Sequence, residues 1–165
     1  MIFLRTLLAL VLAFGLVACG DSKFKTYRGP AVTSVQVHKS ARKMYLLHND
    51  RVLKQYDVAL GFMPVGHKQF EGDGKTPEGG YWIDRTNPDS KYHLSLGVSY
   101  PNVYDTEMAL LANKKPGGDI FIHGAGKYPG SNKVDWTAGC IAVTNKEIEE
   151  IYSMIRVGTP IYILP

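Results

Sequence analysis

Between Val32 and Leu164 the chain is cut by Gly, Pro, Asn and Asp into short runs rich in Val, Ile, Leu and Tyr. Runs this short, bounded by turn residues, read as β-strands rather than helices. The candidates are residues 32–38, 44–48, 51–60, 81–84, 94–99, 120–123, 140–143 and 160–164. Asn49-Asp50 tolerates the positive φ of a tight turn and predicts a hairpin between the second and third runs. Gly72-Asp73-Gly74-Lys75-Thr76-Pro77-Glu78-Gly79-Gly80 is turn chemistry. It lacks the Gly-Lys-Ser/Thr ending of a phosphate loop. One helix stands out: Thr144 and Glu147 form a capping box, and Ile148, Ile151, Tyr152 and Ile155 share the face that follows. A second, shorter helix is expected from Asp105, with Met108 and Leu111 turned inward. The pattern predicts one mainly β domain of mixed strands with a packed C-terminal helix, and 165 residues suit a single domain.

The N-terminus has another composition. Residues 2–17 are apolar except for Arg5, Thr6 and Gly15, a stretch shorter than the ~20 residues a spanning helix needs. One early positive charge, an apolar core and small residues describe a secretory signal. Leu16-Val17-Ala18-Cys19 resembles a bacterial lipobox, which implies cleavage before Cys19 and lipid on its thiol; a plain signal peptide or an uncleaved anchor is the alternative. Gly20, rather than Asp, in second place after the cut implies outer-membrane sorting by the same resemblance. The expected organisation is a signal peptide at 1–18, a tether at 19–30 and a folded domain at 31–165, anchored on the periplasmic side of the envelope. Over the whole chain, 45% hydrophobic and 21% charged residues argue against disorder and against a polytopic membrane protein. A net charge of +4 without a long basic run gives no reason to expect a nucleic-acid partner. Two cysteines cannot build a disulfide framework or a four-thiolate zinc site. His67, His93, His123 and Cys140 show no zinc-ligand spacing, so no metal is expected.

Chemistry concentrates in two segments, Ile120-Phe121-Ile122-His123-Gly124 and Asp135-Trp136-Thr137-Ala138-Gly139-Cys140-Ile141-Ala142. Each sets a reactive side chain at the end of an apolar strand, where a rigid scaffold can hold it. Once Cys19 is lipidated, Cys140 is the only free thiol. A cysteine nucleophile needs a histidine to activate it and backbone N–H groups aimed at the oxyanion. The same residues also suit a small core cysteine and a packed histidine.

His123-Gly124, a gap, then Thr137-Ala138-Gly139-Cys140 resembles the signature of the L,D-transpeptidases, the YkuD-type catalytic domain. The upstream 72–79 turn and the final Gly158-Thr159-Pro160 resemble the same family, so the likeness covers most of residues 32–164. It implies a YkuD-like β-sandwich that acts on peptidoglycan stem peptides without any cofactor. Cys140 matches the acylated nucleophile and His123 the general base and acid. Gly124 matches the carbonyl that orients the imidazole. Gly139 and Cys140 match the oxyanion donors, and Thr137 the hydroxyl before them. Tyr128 and Trp136, with Lys127, are candidates for a substrate-facing loop. Tyr92-His93, Ser95 and Tyr100-Pro101-Asn102 resemble a cleft-lining region. Ala138 and Ala142 depart from the family, which often has His and Arg or Asn there, and a substrate carboxylate is expected to lose donors. The expected reaction is thioester formation on Cys140 followed by transfer to an acceptor amine. Alternatives are hydrolysis of the same thioester, as an L,D-carboxypeptidase or amidase, and a silent peptidoglycan-binding lipoprotein.

Overall fold

The computed structural model describes residues 22–127 and 135–165. The elements run β1 (Ser34–His38), β2 (Lys43–His48), β3 (Arg51–Asp57), β4 (Gly79–Asn87), β5 (Ser95–Val98), α1 (Val103–Leu111), β6 (Phe121–His123), β7 (Ile141–Ala142), α2 (Asn145–Met154) and β8 (Pro160–Leu164). They form one mixed sheet in the order β3-β2-β1-β8-β4-β5-β6-β7. β1–β8 and β6–β7 are parallel, and the other neighbours are antiparallel.

The sheet curls at β4. Residues 79–82 of that strand pair with β8, residues 83–87 pair with β5, and the register shifts between Ile83 and Arg85. A shift of this kind bends a strand and sharpens its twist. The curl brings the two ends of the order together: Ala59, just past β3, exchanges both backbone hydrogen bonds with Ala142 of β7 (2.9 and 2.8 Å). Inward residues alternate as a half-buried strand requires, with Val35 and Val37 on β1 and Ile161 and Ile163 on β8. All four residues of β5 are buried, since α2 lies over β5 and β6.

The hairpin turn occurs as expected, with Asn49 at φ 53°. The capping box of α2 is present: Glu147 N–H donates to Thr144 Oγ1 at 3.3 Å, and Thr144 N–H to Glu147 Oε2 at 2.8 Å. Ile148 and Ile151 point into the core, each burial stabilising by roughly 1.5–3 kcal/mol. For α1 the expected face is wrong. Met108 and Leu111 are 45% and 81% exposed, and the buried stripe is Asp105 and Ala109. The cause is polar: the Asp105 carboxylate accepts from Tyr81 Oη (2.9 Å) and Asn102 N–H (2.9 Å) and contacts His67 Nε2 (3.0 Å), which draws the acidic first turn inward. Residues 22–30, expected as a tether, have no regular structure, yet Tyr27 packs against the core. Cys19 lies outside the described residues.

Candidate active site

In the parallel β6–β7 pair, His123 stands opposite Ala142 and Ile122 opposite Ile141. With a two-residue pleat, Cys140 falls on the side of the sheet that His123 faces. His123 is buried (3% exposed), and its Nδ1 is 2.6 Å from the Gly124 carbonyl. A carbonyl only accepts, so Nδ1 carries the hydrogen, and in the neutral ring Nε2 keeps its lone pair. The ring is walled by Tyr92, with centroids 4.4 Å apart, and edge-on by Trp136 at 5.7 Å. Burial lowers the His123 pKa and outweighs the Gly124 bond, which acts to raise it. Burial also raises the Cys140 pKa, with Asp119 adding to it and Phe121 N–H and Lys68 opposing it. Both shifts favour the neutral thiol and the neutral imidazole. The geometry agrees, since Cys140 Sγ donates to the Asp119 carbonyl at 3.4 Å.

The turn that presents Cys140 is held from within by Thr137, which is buried. Its Oγ1 donates to the Cys140 carbonyl (2.7 Å) and accepts from Gly139 N–H (3.1 Å). Thr137 is therefore the organiser of the turn, and the Gly139 N–H, expected to serve the oxyanion, is occupied by its hydroxyl. Gly139 sits at φ 138°, and a Cβ there would come within 2.7 Å of the Lys75 carbonyl, so only glycine fits. Lys75 belongs to the Gly-rich upstream turn, whose backbone buttresses the turn that carries Cys140.

That buttress is organised by buried charge. The Asp73 carboxylate accepts from Gln69 N–H (2.7 Å), Phe70 N–H (3.2 Å), Lys75 N–H (3.0 Å) and Lys68 Nζ (2.9 Å). Burial alone would raise its pKa, but these bonds together hold it below the usual carboxylate range. Lys39, also buried, donates to the carbonyls of Gly66 (2.7 Å) and Thr76 (2.9 Å) and to Glu78 Oε1 (2.7 Å). Thr76 Oγ1 in turn accepts from Gly61 N–H at 3.0 Å. A cavity of about 330 Å³ opens beside Cys140, lined among others by Phe62, Lys68, Glu71, Asp119 and Ala138.

Of the other expected residues, Trp136 stands against His123 and Tyr128 lies outside the described residues. Ala142 is buried and doubly bonded to Ala59, so an arginine at this position would have to be buried too. Ala138 is exposed on the cavity. His67 accepts from Glu78 N–H and His93 bonds to Glu149, so each has a structural partner. Sequence reasoning missed Lys39, Lys68 and Asp73. It also missed Arg42, which grips Asp135 with Nε (3.0 Å) and Nη2 (2.8 Å) and fixes the chain just before Trp136. No local pattern distinguishes these charges from solvated ones.

The family model of the YkuD L,D-transpeptidase catalytic domain matches residues 33–163. "Putative L,D-transpeptidase YafK" of Escherichia coli K12 is 30% identical over 128 residues, 73% of this chain and 46% of YafK. The crystal structure of the helical cell shape determining protein Pgp2 from Campylobacter jejuni superposes with a TM-score of 0.63 and 27% identity, covering 87% of this chain and 51% of Pgp2. An L,D-transpeptidase from Mycobacterium smegmatis shares the fold, with a TM-score of 0.56 at 16% identity over 82% of this chain and 59% of its own. The chain thus spans about half the length of YafK and Pgp2.

Proposed function

We propose that this chain, which belongs to the YkuD family of L,D-transpeptidase catalytic domains, forms a Cys140 thioester with a peptidoglycan stem tetrapeptide and passes the acyl group to an acceptor amine. The observation that carries the reading is the His123 Nδ1 bond to the Gly124 carbonyl, which leaves Nε2 of the neutral ring as the base, on a strand whose register puts His123 and Cys140 on one side of the sheet.

The chemistry follows from neutral partners. Nε2 takes the Sγ proton as the sulfur attacks the carbonyl that joins the L-centre of diaminopimelate to D-alanine. The oxyanion that develops is met by the Cys140 N–H, since the Gly139 N–H already serves Thr137. His123, now imidazolium, returns the proton to the departing D-alanine amine, leaving the thioester. An incoming amine loses its proton to Nε2, displaces the thiolate and forms the new amide, and the thiolate regains the proton. Trp136 and Tyr92 keep water from the ring while this happens. No step requires a cofactor.

The reading includes the location. Residues 1–18 are removed as a signal peptide, Cys19 receives lipid, and the domain faces the periplasm from the outer membrane. Water in place of the amine would make the same acyl-enzyme an L,D-carboxypeptidase or amidase. Incubation with stem tetrapeptide and mass analysis of both protein and products tests the reading. The expected result is an acyl adduct on Cys140 together with cross-linked dimer. Tripeptide alone would replace transfer by hydrolysis, and no adduct under any condition would overturn enzymatic function.

A further inference from the structure

Residues 22–27 run across α2, and their charges are bonded to the rest of the domain. Lys23 Nζ donates to the carbonyls of Pro88 (2.7 Å) and His93 (3.4 Å), at either end of the turn between β4 and β5. Lys25 Nζ lies 3.4 Å from one oxygen of Glu149, and His93 Nε2 lies 2.8 Å from the other. Between the two lysines, the Phe24 ring packs on Tyr152 of α2 with centroids 6.4 Å apart.

The turn that receives these bonds is tightly wound. His93 has φ 78°, a region that side chains with a β-carbon seldom occupy. Its N–H donates to the Ser90 carbonyl (3.0 Å), and Tyr92 N–H to Ser90 Oγ (3.1 Å). On its inner side the same turn supports the catalytic histidine. Tyr92 supplies the ring against His123. Leu94 accepts from Gly124 N–H at 3.3 Å. A Cβ on Gly124 would come within 2.8 Å of the Tyr92 carbonyl, so the turn's backbone presses on the residue whose carbonyl holds Nδ1.

We infer that Lys23 and Lys25 are positioning residues for His123: the segment ahead of β1 braces the 88–94 turn, and the turn holds Tyr92 and Gly124 against the imidazole. The inference rests on the catalytic reading of His123 given above. Neither lysine touches the cavity at Cys140. Loss of the brace therefore misplaces the base without removing a substrate contact, and small misplacements of catalytic groups are costly in rate.

The test uses the full chain with Lys23→Met, Lys23→Arg and Glu149→Gln. Lys23→Met is expected to lower kcat by about tenfold with KM unchanged, and Lys23→Arg to restore it. Glu149→Gln, which weakens the contacts with Lys25 and His93, is expected to lower kcat in the same manner. The His123 ring-proton resonances, shifted in the wild type by the Tyr92 ring, should move towards those of free histidine in Lys23→Met. This second readout needs no turnover. If the wild type proves inactive on every stem peptide, the enzymatic reading fails while the resonances still decide the brace. Unmoved resonances in Lys23→Met, or a kcat equal to the wild type's, would overturn the inference. A loss of thermal stability with neither change would also overturn it.

Discussion

The two halves of the site are built by different physics. The Cys140 half is fixed by buried charge: Lys39, Lys68 and Asp73 are each satisfied by several hydrogen bonds beneath the turn that carries the sulfur. The His123 half is fixed by aromatic packing, with its charged bonds on the outside, where Lys25 is 44% and Glu149 16% exposed. Buried pairs are scarcely screened and break at large cost, whereas exposed ones are weak and sensitive to salt. Cys140 therefore stands on a rigid support, and His123 on one that solution conditions can adjust.

The largest effect should come from Cys140→Ala, which removes the chemistry and leaves its support. Turnover is expected to vanish, while unfolding free energy changes by only about 1–2 kcal/mol. Turnover by the folded variant would refute the nucleophile. Next is the support itself. Asp73→Ala leaves Lys68 buried without its carboxylate, and a destabilisation of about 3–5 kcal/mol is expected in urea unfolding. A cost near that of an exposed pair would erase the contrast between the two halves.

The pH dependence sharpens the same contrast. The folded-state pKa of Asp73 is depressed, so its stabilisation is complete above the ordinary carboxylate range and is lost as pH falls through the folded value. Acid unfolding of Asp73→Asn should accordingly be less steep than that of the wild type. In the chemistry, His123 is lowered and Cys140 raised, so rate should persist below the usual histidine pKa of about 6.5. Alkylation of Cys140 by iodoacetamide should rise only above the pH of an ordinary thiol. A rate limb above the usual histidine value, with early alkylation, would indicate a resting ion pair instead. The smallest effect is ionic. Raising salt to about 1 M, where the Debye length is about 3 Å, should lower kcat by about twofold through the Lys25–Glu149 contact without changing thermal stability. An equal effect in Lys23→Met would detach the salt response from the brace.

Much of this was legible beforehand because it is local. The Asn49-Asp50 hairpin, the Thr144–Glu147 box and the His123 and Cys140 segments each depend on neighbours in the chain. What escaped depends on distant partners. Lys39 and Lys68 look like surface charges until the 66–78 loop closes over them. The inward face of α1 follows from Tyr81 and His67 meeting Asp105, which a helical period cannot foresee. The occupied N–H of Gly139 depends on the rotamer of Thr137. Residues 22–27 have no periodicity because their order comes from the surface they lie on.

That docked segment also sets a working radius. Had the tether been free from Cys19 to β1 at Ser34, its fifteen residues could have extended about 50 Å, at about 3.3–3.6 Å each. With Lys23 fixed to the domain, only four peptide units remain between it and the proposed lipid on Cys19, about 14 Å at full stretch. Lipidated at Cys19, as proposed above, the domain would have a short reach from the bilayer. If Cys19 carries lipid as proposed, the domain would sit near the bilayer with its α2 side towards the headgroups, and acyl transfer there would draw on stem peptides beside the membrane.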